Sequence, residues 1–348
     1  MTTAPVLQTQ CTELLRIQHP IVCGGMTATG SAELCAAVSN AGCLGMLTCL
    51  HCRTPERLHQ EIRRAREMMD GNRPFGVNLT ILGVKRGEPE YPHEFVDVIV
   101  RNHIEIVETC GGGVKLMRAL HEELRRGGVR VIISKCVAVR HALTAQNVLG
   151  ADMVSLMGAD SGGLPGEDDT GLFVQAALAK RQLAIPFLLS GGVATGSQLV
   201  AALVLGAAGV QIGTRFNATH ECNMLPESFK ARMVAAGPRD TIVIMKPFRA
   251  SSRVMRNTDA EAVAKIEREK GAHVNFSDIG ALVKFERLRE GLEQGNPDLG
   301  VWNCGQSTYL IDDVPTCADL VARLVHEVRC ALHTVHEAAP RLSLHSSL

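Results

Sequence analysis

The chain has 348 residues, enough for two average domains or one large α/β barrel with additions. Hydrophobic residues make up 46% and aromatics only 3%, a globular core built from Val, Leu, Ile and Ala with few side chains suited to stacking on bases. Lys plus Arg and Asp plus Glu both number 36, so no global field recruits nucleic acid or an anionic membrane, and neither partner is expected.

The opening "MTTAPVLQTQ" has no charged-then-apolar leader, and no apolar run approaches the roughly 18 residues of a membrane span. A soluble, cytoplasmic protein is the expectation. The 12 cysteines are scattered through apolar segments such as "SAELCAAVSNAGCLGML" and read as free buried thiols. The single C-x-x-C, Cys49 to Cys52, has His51 and His59 nearby but no second pair to complete a tetrahedral shell, so no metal is expected. The terminal "HSSL" distantly resembles a Ser-Lys-Leu address and reads as a frayed end.

Taken in chain order, short apolar or β-branched runs at 21–26, 43–47, 75–81, 104–109, 129–136, 153–157, 186–190 and 209–213 predict eight strands. Between them, helical spacing covers 31–40, 55–69, 94–101, 114–126, 139–149, 172–182 and 196–205. This alternation argues for right-handed βαβ units, and eight of them fit a (β/α)8 TIM barrel better than an open sheet. The pattern changes after Thr214. Residues 219–290 lack buried-strand runs and predict an added, mainly helical subdomain, while 317–333 reads as the helix that closes the barrel. The expected organisation is therefore a barrel of 1–218 and 291–335, a helical subdomain of 219–290 and a tail of 336–348.

Catalytic loops of such barrels follow the strands. In this chain those places read "CGGMTATG", "NLTILG", "KCVAVRH", "GADSGGLPGEDD", "LLSGGVATG" and "VQIGTRF", and the glycines concentrate there. Ser190-Gly-Gly192 and Gly213-Thr214 lie one helix and one strand apart. Adjacent loops with bare backbone N–H groups, helped by the following helix N-terminus, commonly hold a phosphate in this fold. The plainer reading of "GGVATG" is a tight strand-to-helix turn.

In order and spacing, "PIVCGGMTATGSAELCAAVSNAGCLGML", "FGVNLTIL", "KCVAVRHA", "GADSGGLPGEDD", "LLSGGVATGSQLVAALVLGAAGVQIGTRF" and, more loosely, "NCGQS" resemble the FMN-dependent nitronate monooxygenases, formerly 2-nitropropane dioxygenases, and the related NADH:quinone reductases. The resemblance implies FMN across the barrel mouth. It would set Gly25 and Met26 against the isoalloxazine through their backbone and Asn78 or Thr80 at its polar edge. Lys135 would sit near flavin N1 and O2, unless it is simply an exposed strand-end lysine. Gly162, Ser190, Gly192, Gly213 and Thr214 would line the ribityl chain and phosphate.

One position departs from the pattern. The family's loop after strand 6 runs glycine, any residue, glutamate, alanine, glycine, glycine, histidine, and the histidine takes a proton from a nitroalkane carbon. Here Leu164 stands at the histidine position, Asp160 at the glutamate and Met157 at the preceding glutamine. Leucine transfers no proton. His141, after strand 5, is either a substitute base or an ordinary polar helix residue, and Asp160 either orients substrate or caps the turn. Glu167, Asp168 and Asp169 read as a solvated helix N-terminus.

The resemblance thus implies an oxidoreductase that converts alkyl nitronates with O2 into a carbonyl compound and nitrite. The alternatives are an FMN-dependent NAD(P)H:quinone reductase and a non-catalytic flavin-binding protein. An IMP-dehydrogenase-like barrel would need a nucleophilic cysteine in 158–170, which holds none. A homodimer is compatible with the sequence, which does not fix the oligomeric state.

Overall fold

The computed structural model describes residues 7–81 and 91–338, so most of the tail expected at 336–348, including "HSSL", lies outside the described residues. Eight parallel strands form one sheet: β1 (Ile21–Cys23), β2 (Gly45–Thr48), β3 (Phe75–Ile81), β4 (Ile106–Gly111), β5 (Val131–Cys136), β6 (Met153–Met157), β7 (Phe187–Ser190) and β8 (Gly209–Ile212). β1 pairs with β8, and a parallel bridge between Val22 and Leu44 joins β1 to the start of β2, which closes the sheet into a (β/α)8 barrel. The strands are near-continuous apolar runs because both faces are covered, outside by helices and inside by one another. β1 is shorter than expected because Gly24 and Gly25 turn the chain away after Cys23.

Two barrel helices start on clear local signals. Thr54 caps helix Pro55–Met68 by accepting from the Arg57 N–H, and Thr195 with Gln198 forms a capping box at helix Gly196–Val204. The helix expected at 139–149 is α-helical only over Val139–Thr144 and widens into a π-helical turn over Ala145–Leu149 before Gly150, at φ +67°. A short helix that the sequence pattern does not announce, Gln10–Leu15, covers the N-terminal end of the barrel, where Cys11 and Leu15 join Val22, Met46, Ile106, Val131 and Met153 in one apolar cluster.

The segment 219–290 was expected to be mainly helical. It also carries an antiparallel hairpin, β9 (Thr241–Ile244) with β10 (Ser252–Met255). Each strand has only four residues, too few for a readable period, and the turn between them needs Met245 and Arg249 in left-handed conformations at φ +64° and +50°. β10 ties this segment to the barrel through bridges from Arg253 to Gly163 and from Val254 to Asn303. No helix among the described residues is long and apolar enough to cross a membrane.

After β8 the chain is locked by Arg215, only 2% exposed, whose guanidinium donates to Asp313 Oδ1 at 2.6 Å and to the Ala218 and Asp313 carbonyls at 3.2 and 3.3 Å. Arg215→Met removes the donors and strands these acceptors. We expect a loss of about 2 kcal/mol in urea unfolding, because the Ala218 and Asp313 carbonyls lose a charged donor while the Asp313 carboxylate, 39% exposed, keeps water and Arg323. A loss below about 1 kcal/mol would reduce the contact to surface chemistry.

Candidate active site

The barrel interior has two layers. Toward the N-terminal end it is apolar, with Val22, Met46, Ile106, Ile133, Met153 and Leu188. Two residues further along β4, β5 and β6, alternation brings Glu108, Lys135 and Ser155 inward at the C-terminal end, where Asn78 of β3 and Gln211 of β8 join them. This upper set is polar and almost wholly buried, so it must satisfy itself.

It does so around Glu108, which has no exposed surface. Asn78 Nδ2 donates to Glu108 Oε2 at 2.6 Å, and Gln211 Nε2 donates to Oε1 at 2.5 Å. Lys135 Nζ lies 3.6 Å from Oε1. Thr80 Oγ1 donates to Asn78 Oδ1 at 2.7 Å, and Ser155 Oγ to Gln211 Oε1 at 2.7 Å. Lys135 is therefore not a solvated strand-end lysine. Its side chain is 11% exposed, and it brings a cation to the floor of the mouth. At the next inward position of β4, Cys110 faces Lys135 in register; burial raises its thiol pKa, and the neighbouring cation works against that rise.

The rim loops meet over this floor. A Cβ on Gly25 would fall 2.4 Å from Asn78 Cγ, so only glycine leaves room for that amide. The Met26 N–H already donates to Thr48 Oγ1 at 3.1 Å, while the Met26 sulfur lies against Gly213, 3.4 Å from where a Cβ would stand. Ser190 is 7% exposed, and its carbonyl accepts from the Gly158 N–H at 3.0 Å. Gly191 and Gly192 are left-handed, at φ +92° and +71°. Gly162 is a close-approach glycine whose Cβ would strike Gly305 N at 2.7 Å. Gly305 N in turn donates to Thr214 Oγ1 at 3.0 Å.

The anion-binding potential of these loops is uneven. Around the start of helix Gly196–Val204, Gln198 Oε1 accepts from the Ala194 and Thr195 N–H groups, and Glu327 takes the Gly196 N–H. That helix start has little left for a ligand. Asp160 also leans on Gly192, with its Oδ2 3.4 Å from a Cβ there. By contrast, Gly213 precedes the short helix Thr214–Asn217, which has no side-chain cap, and the space at Gly213 is open apart from Met26.

Asp160 contributes its carbonyl to Gln306 N at 2.9 Å, and its side chain borders an open groove of about 460 Å³ between helices Leu172–Gln182 and Gly196–Val204. Leu164 is 44% exposed. Its neighbour Gly163 exchanges both backbone hydrogen bonds with Arg253, at 3.0 and 2.7 Å. The acidic tail of the loop is exposed, as expected, but it does not open a helix: Glu167 accepts from Ser251 N and Oγ at 2.9 and 2.6 Å, Asp168 pairs with Arg140, and the next helix begins only at Leu172. His141 stands exposed beside that ion pair, its pKa lowered by desolvation and then by Arg140. No hydrogen bond or ion pair among the described residues joins it to the floor. Cys49 and Cys52 are buried in one helical turn, and burial pushes Cys52 up to about 12.

Sequence reasoning missed Glu108, Ser155, Gln211 and Arg253. The first three had a signal: each is a polar residue inside an otherwise apolar strand run, in "IEIVETCG", "MVSLMG" and "GVQIGT". Arg253 had none, since its hairpin was not foreseen.

This arrangement has clear relatives. The nitronate monooxygenase family model matches residues 8–327. The chain is 31% identical to the (3aS,4S,5R,7aS)-5-hydroxy-7a-methyl-1-oxo-octahydro-1H-indene-4-carboxyl-CoA dehydrogenase of Rhodococcus jostii, over 92% of this chain and 95% of that one. It is 27% identical to a probable nitronate monooxygenase of Bacillus subtilis, over 89% and 95%. Among solved structures, FabK from Thermotoga maritima superposes with a TM-score of 0.85 at 29% identity, covering 95% of this chain and 99% of that one. The protein is thus an oxidoreductase-type enzyme built on a (β/α)8 barrel, and the chain belongs to the nitronate monooxygenase family.

Proposed function

We propose that the protein is an FMN-dependent oxidoreductase that oxidises alkyl nitronates with O2 to a carbonyl compound and nitrite. The observation that carries this reading is the mouth: a buried cation, Lys135, set into a polar floor below glycine loops. The residues present fit FMN. Gly213 leaves open space beside an uncapped helix start for the phosphate, and Lys135 and Thr80, the latter held by Asn78, offer a donor and an acceptor to a polar ring edge.

Bound there, FMN would supply the electron transfer, and the protein would supply position and charge. Lys135 stabilises negative charge at the floor. Asn78 and Gln211 hold their amides in one orientation toward Glu108. Leu164 and the paired Gly163–Arg253 segment wall the rim with apolar surface and backbone.

A second reading, oxidation of an acyl-CoA, is favoured by the Rhodococcus relative and by exposed Lys246 and Arg249 in the turn of the β9–β10 hairpin, a polyanion-compatible tip on the element bonded to the rim. The test is anaerobic mixing of the purified protein with propionate 3-nitronate, NADH or an acyl-CoA while flavin absorbance is followed. Bleaching by the nitronate is expected. Bleaching by NADH alone would favour a quinone reductase, and bleaching by the acyl-CoA alone would favour the dehydrogenase. Denaturation is expected to release FMN. Release of FAD, or a colourless protein that FMN does not reconstitute, would overturn the cofactor assignment.

A further inference from the structure

We infer that Glu108 is a positioning residue that sets the hydrogen-bond polarity of the cofactor floor through Asn78 and Gln211, and its charge directly, beside Lys135. The inference rests on the FMN reading above. Glu108 lies on β4 with no exposed surface, and the polar side chains of the upper layer lead to it.

The argument is one of donor inventory. An ionised carboxylate only accepts. With Asn78 on Oε2 and Gln211 on Oε1, both amide NH2 groups must point inward, at 2.6 and 2.5 Å. Their carbonyl oxygens are then turned away, and each collects a hydroxyl: Thr80 on Asn78 and Ser155 on Gln211, both at 2.7 Å. Thr80, having spent its proton, faces the mouth as an acceptor. One carboxylate therefore fixes five neighbours. Electrostatically it also compensates Lys135, 3.6 Å away, so that the floor is a near-neutral ion pair rather than a bare buried cation.

The sign of the effect follows. Glu108→Gln keeps the shape and removes the negative charge, and the network can re-polarise by turning the Gln211 amide and the Ser155 hydroxyl. Lys135 is then uncompensated at the floor. Reduction adds negative charge to a bound flavin, so the equilibrium for reduction should rise about tenfold, equivalent to ~30 mV for a two-electron couple. A residue that merely packs would lower stability and leave this quantity unmoved.

The experiment is spectroelectrochemical titration of the FMN-loaded wild type, Glu108→Gln, Lys135→Met and the double variant. The expected order is Glu108→Gln above wild type, Lys135→Met below it, and the double variant about tenfold above Lys135→Met, because the same charge is removed in both backgrounds. If Glu108→Gln does not fold, Lys135→Met against the double variant measures Glu108; if Lys135→Met, which leaves Glu108 buried without its cation, does not fold, wild type against Glu108→Gln does. Equal potentials within both pairs would overturn the inference. A wild type that takes up no FMN would instead overturn the cofactor reading on which the inference rests.

Discussion

Propionate 3-nitronate and alkyl nitronates are expected to turn over at least about 10²-fold faster than the corresponding neutral nitroalkanes. A neutral nitroalkane must lose a carbon-bound proton before it is oxidised, and a positioned base contributes about 10²- to 10⁴-fold to such a step. A nitronate has already lost that proton. Leu164 has no group to accept it, and the nearest alternative by sequence, His141, stands with Arg140 and Asp168 outside the floor network. Leu164→His is the matching gain-of-function variant. The backbone beside it is held by the Gly163–Arg253 pair, and the side chain is 44% exposed, so an imidazole can be accommodated without repacking. Activity on nitroethane should rise by at least tenfold, while activity on the nitronate changes by less than about threefold. Fast turnover of neutral nitroethane by the unmodified protein would show that another residue abstracts the proton, and His141→Ala would test the first suspect. No turnover of any nitronate, alongside fast NADH oxidation with a quinone, would reject the monooxygenase reading.

What was legible in the sequence follows from periodicity. Parallel barrel strands are covered on both faces and so read as mostly apolar runs, and 75–81 and 153–157 match β3 and β6 residue for residue. The helix expected at 317–333 runs to Ala338, because nothing in "CALHTVHEAA" breaks a helix. The hairpin at Thr241–Met255 was hidden because its turn rests on two non-glycine left-handed residues, a conformation that composition does not announce. The glycine loops were legible as loops, but not their division of labour: Gly162 and Gly25 are small because Gly305 and Asn78 crowd them. The acidic run 167–169 misled for a related reason. Glu167 and Asp168 bind Ser251 and Arg140, partners that are remote in sequence. Glu108 was readable in principle, since a carboxylate in the middle of "IEIVETCG" must find partners or remain uncompensated.

Gly213→Glu is expected to abolish stable FMN binding while the fold survives, and it separates phosphate binding from backbone strain more cleanly than Gly192→Glu. At Gly192 the backbone is left-handed, at φ +71°, and a Cβ would stand 3.0 Å from the Asp160 Cβ, so any side chain there costs conformational energy whether or not a phosphate approaches. Asp160 already places a carboxylate at that loop, and a further charge would add to one that is present in the wild type. Gly213 has φ −111°, which any L-residue adopts, and a Cβ there meets only Met26, at 3.4 Å from the sulfur. The new carboxylate would therefore act chiefly through charge. A unit charge about 4 Å from a phosphate dianion costs about 2 kcal/mol even at the dielectric of water, so FMN affinity should fall at least about thirtyfold. Gly213→Ala should retain the flavin, and the melting temperature of apo Gly213→Glu should stay within about 4 °C of the wild-type apoprotein. Retention of full FMN occupancy by Gly213→Glu would move the phosphate to the Gly191–Gly192 loop, where it would have to coexist with Asp160. In that case Asp160→Asn should tighten FMN binding, because it removes the like charge nearest that loop.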